Sequence, residues 1–272
     1  MSVPLKVGVL GAGGRMGREV CRAVADDPAL ALVAAVDPHH AGIDLRQVTG
    51  SDAAGIQISG RVDALEAAGA QVAVDFTVAA VAVETMCWCA AHGVHAVVGT
   101  TGISDGDMAD IEARFAASTA NCVVAANFAI GAVLMMRFAE LAAPLMDSVE
   151  IIELHHDGKL DAPSGTALST ATRLARSRRA SDRGGWPADR TESEVAVGAR
   201  GAEGPGGIRV HSVRLAGLVA HQEVIFGALG QSLTLRHDAY DRSSFMPGVV
   251  LAVKSVGDRP GLTVGLDALL DF

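Results

Sequence analysis

Short apolar runs and amphipathic stretches alternate along the first 127 residues. Leu5–Leu10, Leu32–Val36, Val72–Phe76, Ala96–Val98 and Cys122–Ala125 read as strands, and their near-continuous apolar character is that of strands buried on both faces. Between them, Arg15–Ala25, Val78–Ala91 and Asp105–Ala117 read as helices. Strands alternating with helices predict a parallel sheet covered on both sides. After Asn127 the pattern changes. A helix over Ile130–Met146 precedes a strand at Val149–Leu154, and a second helix follows over Ala167–Arg179. Ile208–Leu215, Gln222–Phe226 and Ser232–Arg236 then succeed one another without helices, which predicts an antiparallel or mixed sheet. Ser243–Val256 is again helical. Residues 181–207, broken by Gly184, Gly185 and Pro187 and ending in GARGAEGPGG, predict a mobile connection.

Composition narrows the class. Half of the 272 residues are hydrophobic and 19% are charged, so the chain can bury a large core and is not disordered. A formal net charge of −9 leaves no basic excess for nucleic acid. The longest apolar run, Phe128–Met136, is far short of the ~20 residues that cross a bilayer, and the N-terminal apolar run is too short and too glycine-interrupted for a signal peptide. No membrane partner is expected. Cys21, Cys87, Cys89 and Cys122 lack framework or zinc spacing. They read as buried, reduced thiols in a cytoplasmic protein, with no metal site. Five arginines fall between Arg173 and Arg183, at the end of a helix, where cations favour the dipole; they read as a solvated helix end.

The first strand runs into Gly11-Ala12-Gly13-Gly14-Arg15-Met16-Gly17 and opens a helix. Such a turn lets the backbone approach a pyrophosphate, and the helix N-terminus offers unpaired N–H groups and a positive dipole end. The spacing is Gly11, Gly14, Gly17, because Met16 stands where the stricter pattern has glycine. Asp37 ends the second strand, 20 residues after Gly17, where a carboxylate accepts the adenosine ribose hydroxyls and repels a 2′-phosphate. No arginine follows it, although Arg15 could reach such a phosphate. The expected cofactor is NADH, NADPH or both, with NADH used at least as well. Asp75-Phe76-Thr77 and Gly99-Thr100-Thr101-Gly102 close two further strands at the same crevice. The fold class expected is α/β: a Rossmann-like parallel-sheet domain plus an α+β domain with a mixed or antiparallel sheet.

Glu153-Leu154-His155-His156-Asp157-Gly158-Lys159-Leu160-Asp161-Ala162-Pro163-Ser164-Gly165-Thr166-Ala167 leaves a strand, crosses a loop and enters a helix. Two histidines and a lysine supply proton donors and positive charge. Gly165 and Thr166 can offer backbone N–H groups to a carboxylate at a helix start. Read from the residues, this is a site for a small dianion that must be protonated. Taken singly, each residue is better explained as a core histidine or a solvated lysine. Metal binding by the adjacent His155 and His156 lacks a third ligand.

This stretch resembles the signature of the dihydrodipicolinate reductase family, and the glycine turn, Asp75-Phe76-Thr77, Gly99 to Gly102 and Ala125-Ala126-Asn127-Phe128 match that family in order over nearly the whole chain. The resemblance implies an NAD(P)H-dependent reduction of 4-hydroxy-tetrahydrodipicolinate to tetrahydrodipicolinate with loss of water, in lysine and diaminopimelate biosynthesis. It implies His155 as general acid/base and Lys159 as second proton donor. Substrate contacts would come from His156, Gly165, Thr166 and Thr101. Cofactor contacts would come from Gly11 to Met16, Asp37, Gly99 to Thr101 and Ala125 to Phe128. It also implies a cytoplasmic homotetramer. Residues 1–127 would bind the dinucleotide, with 238–272 returning to them, and 128–237 would form a substrate and oligomerisation domain closing on hinges near 127 and 238. Two other readings are a dinucleotide sensor, which would be expected to have lost His155 and Lys159, and another dehydrogenase on the same cofactor fold, which would lack the 155–167 segment.

Overall fold

The computed structural model describes residues 3–50 and 55–270; the outermost residues of the expected first domain, 1–2 and 271–272, lie outside them. The chain divides into two compact units. The first runs to Phe128 and resumes at Phe245; the second is Ala129–Ser244.

In the first unit β1 (Leu5–Leu10) feeds α1 (Arg15–Asp26), followed by β2 (Leu30–Val36). Two short helices, α2 (Leu45–Thr49) and α3 (Ala64–Ala67), precede β3 (Val72–Asp75). Then come α4 (Ala79–His92), β4 (His95–Val98), α5 (Asp105–Ala116) and β5 (Cys122–Val124). These strands are too apolar to tolerate a wet face, and helices cover them. Gly17, Val20, Cys21 and Val24 recur at helical spacing on the buried stripe of α1. Met86 and Cys89 of α4 pack with Ile111 and Phe115 of α5 into one core with the strand residues Leu10, Ala73, Ala96 and Cys122.

The second unit contains α6 (Ile130–Ala142), β6 (Ser148–His155), α7 (Gly165–Ala180), β7 (Ala202–Glu203), β8 (Arg209–Arg214), β9 (Ala220–Ala228) and β10 (Gln231–Ala239). The chain then returns to the first unit through α8 (Met246–Ser255) and β11 (Leu262–Val264). The six-stranded sheet is wholly parallel, in the order β11-β5-β4-β3-β1-β2. Asn121 fastens the returning segment: its amide donates to the Val256 and Gly257 carbonyls, both at 2.9 Å. The five-stranded sheet, β10-β9-β6-β8-β7, is mixed, with β6 and β8 parallel and the other pairs antiparallel. On β6, Val149, Ile151 and Glu153 are buried in alternation, so a carboxylate occupies an inward position of an otherwise apolar face.

Several expectations need correction. The first helix of the second unit stops at Ala142, because Pro144 follows its cap and cannot continue the ladder. The expected crossing near 238 falls inside β10, where Asp238 is paired with His221; the division comes at residues 244/245. The run of arginines is a solvated helix end only in part: Arg176, Arg179 and Arg183 are exposed, but Arg178 and Arg173 are not. Arg178 is buried, donates to the Ala143 and Met146 carbonyls at 3.2 and 2.6 Å, and lies 3.9 Å over the Trp186 ring. Arg173 pairs with Glu140 at 2.6 Å. The glycine-rich connection is anchored. Arg200 reaches Glu150 at 2.5 Å and Asp189 at 3.2 Å, and Glu194 accepts the N–H groups of Gly198 and Arg200. Cys21, Cys89 and Cys122 are buried free thiols, but Cys87 is only half-buried.

Candidate active site

The glycine turn leaves β1 where the sheet order reverses, since β2 lies on one side of β1 and β3 on the other. In open parallel sheets this switch point, at the carboxyl ends of the strands, is where ligands bind. Two glycines are required there by geometry. Gly11 has φ +71, and a Cβ on Gly17 would sit 2.0 Å from the Gly11 carbonyl oxygen. The turn closes with Gly14 N–H donating to Gly11 O at 2.9 Å. No acidic residue occupies the first turn of α1, and the N–H groups of Arg15 and Met16 have no hydrogen-bond partner among the described residues. These features fit a pyrophosphate: open backbone, free donors and a positive helix end.

The residues expected around a dinucleotide come together at this end of the sheet. Asp37, buried at the tip of β2, accepts the Gly13 N–H at 2.9 Å on Oδ2 and the His39 N–H at 2.9 Å on Oδ1. Its burial acts to raise its carboxyl, but His40, Gly13 and His39 outweigh that and hold it below the usual carboxylate range. After β3, Asp75 accepts the N–H and the hydroxyl of Thr77 at 2.8 and 2.6 Å, fixing that turn. After β4, Gly99 N–H donates to Asp75 O at 2.9 Å; Thr100 is buried, whereas Thr101 is exposed. After β5, Ala125 donates to Val98 O at 3.0 Å, Ala126 is exposed, and Phe128 packs its ring 5.7 Å from that of Phe76.

The other expected residues cluster on the loop between β6 and α7, in the second unit. His155 ends β6, and its Nδ1 lies 2.5 Å from Glu153 Oε2. Glu153, fully buried, accepts two hydrogen bonds from the Arg214 guanidinium at 2.8 and 2.9 Å. It also accepts the Ser164 N–H at 3.2 Å, which folds the far end of the loop back onto the strand. Burial acts to raise the Glu153 carboxyl, but hydrogen bonds from Arg214, Ser212 and His155 keep it below the usual carboxylate range. Burial lowers His155; Glu153 opposes this, and Lys159 and Arg214 add to it, for a net downward shift. Lys159 is paired with Asp161 at 2.7 and 2.9 Å, and Arg214 also donates to the Asp161 carbonyl at 2.6 Å.

Ser164 caps α7 by accepting the Ala167 N–H at 3.2 Å. The N–H groups of Gly165 and Thr166 are left with no partner among the described residues. One loop thus presents a histidine, a lysine and two open helix-start donors. His156 is half-buried beside them, with its carbonyl accepting the Lys159 N–H at 3.2 Å. Among the described residues no group of three metal-ligating side chains occurs.

The sequence assigns no role to Glu153, although that residue opens the stretch, and none to Arg214. Glu153 carried a signal: it breaks the apolar alternation of β6 two residues before His155, on the same face of the strand. Arg214 carried none, because it reaches His155 only through the register of β8 on β6.

A doubly wound parallel sheet with a glycine turn at its switch point, in a chain whose second unit carries a histidine, a lysine and open helix-start N–H groups on one loop, is the arrangement of a pyridine-nucleotide oxidoreductase. The chain belongs to the dihydrodipicolinate reductase family: residues 5–128 match the model of its N-terminus and 131–270 that of its C-terminus. It is 50% identical to the 4-hydroxy-tetrahydrodipicolinate reductase of Nocardia farcinica, over 98% of this chain and 99% of that one. The enzyme of the same name from Cutibacterium acnes is 48% identical over 98% of each chain. A dipicolinate-bound dihydrodipicolinate reductase from Paenisporosarcina sp. TG-14 superposes with a TM-score of 0.84 at 40% identity, covering 98% of this chain and all of that one. An amine dehydrogenase from Mycobacterium smegmatis, 17% identical with a TM-score of 0.65 over 97% of this chain and 96% of that one, shares the fold alone. Among the described residues no helix is long and apolar enough to cross a membrane.

Proposed function

We propose that the β6–α7 loop binds and protonates a cyclic dicarboxylate while the glycine turn holds the dinucleotide. The chain is an NAD(P)H-dependent reductase that converts 4-hydroxy-tetrahydrodipicolinate to tetrahydrodipicolinate with loss of water, in lysine and diaminopimelate biosynthesis. When bound, NADH or NADPH supplies the hydride. His155 gives up the proton that the reduction consumes, and Lys159 is the second donor once a substrate carboxylate competes with Asp161 for its ammonium group. The N–H groups of Gly165 and Thr166 receive a carboxylate, and His156 and Thr101 contact the substrate. Gly11 to Met16, Asp37, Gly99 to Thr101 and Ala125 to Phe128 surround the dinucleotide.

The observation that carries this reading is the closure of the loop on itself. Ser164 N–H meets the same carboxylate that holds His155, so the anion-binding helix start and the proton donor share one anchor. The ionised Asp37 supports use of NADH at least as efficiently as NADPH, because a 2′-phosphate would meet a negative charge. The free thiols are consistent with a cytoplasmic enzyme, and the assembly proposed is a homotetramer.

The experiment is oxidation of NADH and NADPH in parallel, with substrate formed in situ from pyruvate and aspartate semialdehyde by the preceding synthase. Oxidation that requires the synthase supports the reading. Protein that binds NADH yet oxidises neither cofactor refutes it.

A further inference from the structure

We propose that Glu153 is a positioning residue for the reaction: its buried carboxylate takes Nδ1 of His155, so that Nε2 is the nitrogen that carries and releases the proton. The inference rests on the reading of His155 as the proton donor.

Glu153 occupies an inward position of β6 between Ile151 and His155, on a face that is otherwise apolar. A buried carboxylate there is costly unless its oxygens are satisfied, and an apolar residue of similar volume would often stabilise the strand as well. The structure satisfies both oxygens fully. Oε1 accepts Arg214 Nη2 at 2.8 Å and the Ser164 N–H at 3.2 Å. Oε2 accepts Arg214 Nη1 at 2.9 Å and faces His155 Nδ1 at 2.5 Å. The guanidinium alone would neutralise the charge, yet one oxygen is directed to the imidazole.

The chemical consequence follows from the ring. A carboxylate held ionised by Arg214 accepts at Nδ1, so the neutral ring keeps its hydrogen there and leaves Nε2 bare. Protonation then occurs at Nε2, the nitrogen not engaged by the protein. The same carboxylate keeps that proton bound against opposition. Burial, the Lys159 ammonium on the loop and the Arg214 guanidinium on β8 all favour the neutral ring. Asp161 is engaged by Lys159. On β9, the residue paired with His155 is Ala220, and the nearest titratable group, His221, stands opposite Leu154 and is paired with Asp238 at 2.7 Å. Among the described residues Glu153 is therefore the acidic group in contact with His155.

The test is nitrogen NMR of 15N-histidine-labelled protein, with the His155 signal identified among nine histidines by its loss in His155→Gln, alongside the pH profile of kcat. In Glu153→Gln the His155 titration midpoint should fall by about one unit or more, the size expected for loss of a contacting opposite charge. The neutral ring should lose its preference for the Nδ1–H tautomer. Turnover should drop about tenfold at neutral pH and recover as the pH is lowered, with the KM for NADH unchanged. Glu153→Asp retains a charge for Arg214 but withdraws it from the imidazole, and should show the same shift in smaller measure. A His155 midpoint and tautomer unchanged in a folded variant would overturn the proposal. So would failure of both variants to fold, which would make Glu153 a purely structural residue. If His155→Gln turns over normally, the proton-donor reading itself fails, and the NMR shift shows separately whether Glu153 governs the ring.

Discussion

Asp37 accepts the N–H of Gly13 at 2.9 Å, so the carboxylate expected to read the ribose also holds the glycine turn. Its second oxygen is taken by the His39 N–H. The turn and the tip of β2 are therefore one hydrogen-bonded unit, and the negative charge proposed to face the 2′ position is fixed in place rather than free to swing away. Replacement of Asp37 by Ser removes that charge and keeps a small acceptor. The expected result is a higher KM for NADH and a shift of about tenfold or more toward NADPH in the ratio of kcat/KM values, the size of one lost close charge contact. Parallel assays with the two cofactors check it; an unchanged ratio would mean that Asp37 does not select the cofactor.

His155→Gln should lower kcat by roughly 10²–10⁴, as for loss of a general acid. Binding of NADH, followed by fluorescence, should not change, because His155 belongs to the second unit and the glycine turn to the first. Near-normal turnover would remove His155 from the chemistry.

Gly17→Ala should abolish dinucleotide binding or destabilise the first unit outright. The new Cβ would meet the Gly11 carbonyl at 2.0 Å, and a backbone oxygen in a closed turn has nowhere to move. Gly50→Ala is a useful comparison: it too is strained by its left-handed φ of +68, but nothing lies within 4 Å of the added carbon. Calorimetry and NADH titration of the two variants should show much the larger loss for Gly17.

Much of this architecture was legible in the sequence because it is written in local patterns. β1, the glycine turn and α1 follow from an apolar run, a glycine spacing and an apolar stripe that need no tertiary information. The loop from His155 to Ala167 was legible for the same reason: its chemistry is contiguous. What could not be read depends on partners distant in the chain. Leu262–Val264 is a three-residue strand that exists because β5 offers it an edge. Arg178 looks solvated at the end of a basic helix until Ala143, Met146 and Trp186 are placed around it. Arg214 becomes part of the site only because β8 pairs with β6 and sets it beside His155.

Ser164 and Thr166 separate stability from binding at the start of α7. Ser164→Ala deletes the cap on the Ala167 N–H and should cost about 1 kcal/mol, seen as a fall in Tm of a few degrees. Thr166→Val keeps the backbone N–H and the cap but removes the hydroxyl; with that hydroxyl proposed as a further donor to the carboxylate that the N–H receives, the KM for the dicarboxylate should mainly rise. An effect of Thr166→Val confined to NADH affinity would contradict its assignment to the substrate.

The surroundings of His155 predict two different pH profiles. Burial, Lys159 and Arg214 lower the imidazole below its ordinary value in the free protein, despite Glu153. A general acid works in its protonated form, so kcat/KM, which reports the free enzyme, should fall as pH rises through a value below about 6.5. In the proposed binding mode a dicarboxylate would bring negative charge to the same loop and engage the Lys159 ammonium. Both effects favour the imidazolium, so the corresponding limb of kcat, which reports the complex, should lie at higher pH. Profiles of both quantities, with NADH saturating and the dicarboxylate varied, check this. Coincident limbs would mean that the substrate's charge does not reach His155, and a kcat/KM that does not fall through that range would remove His155 as the titrating donor.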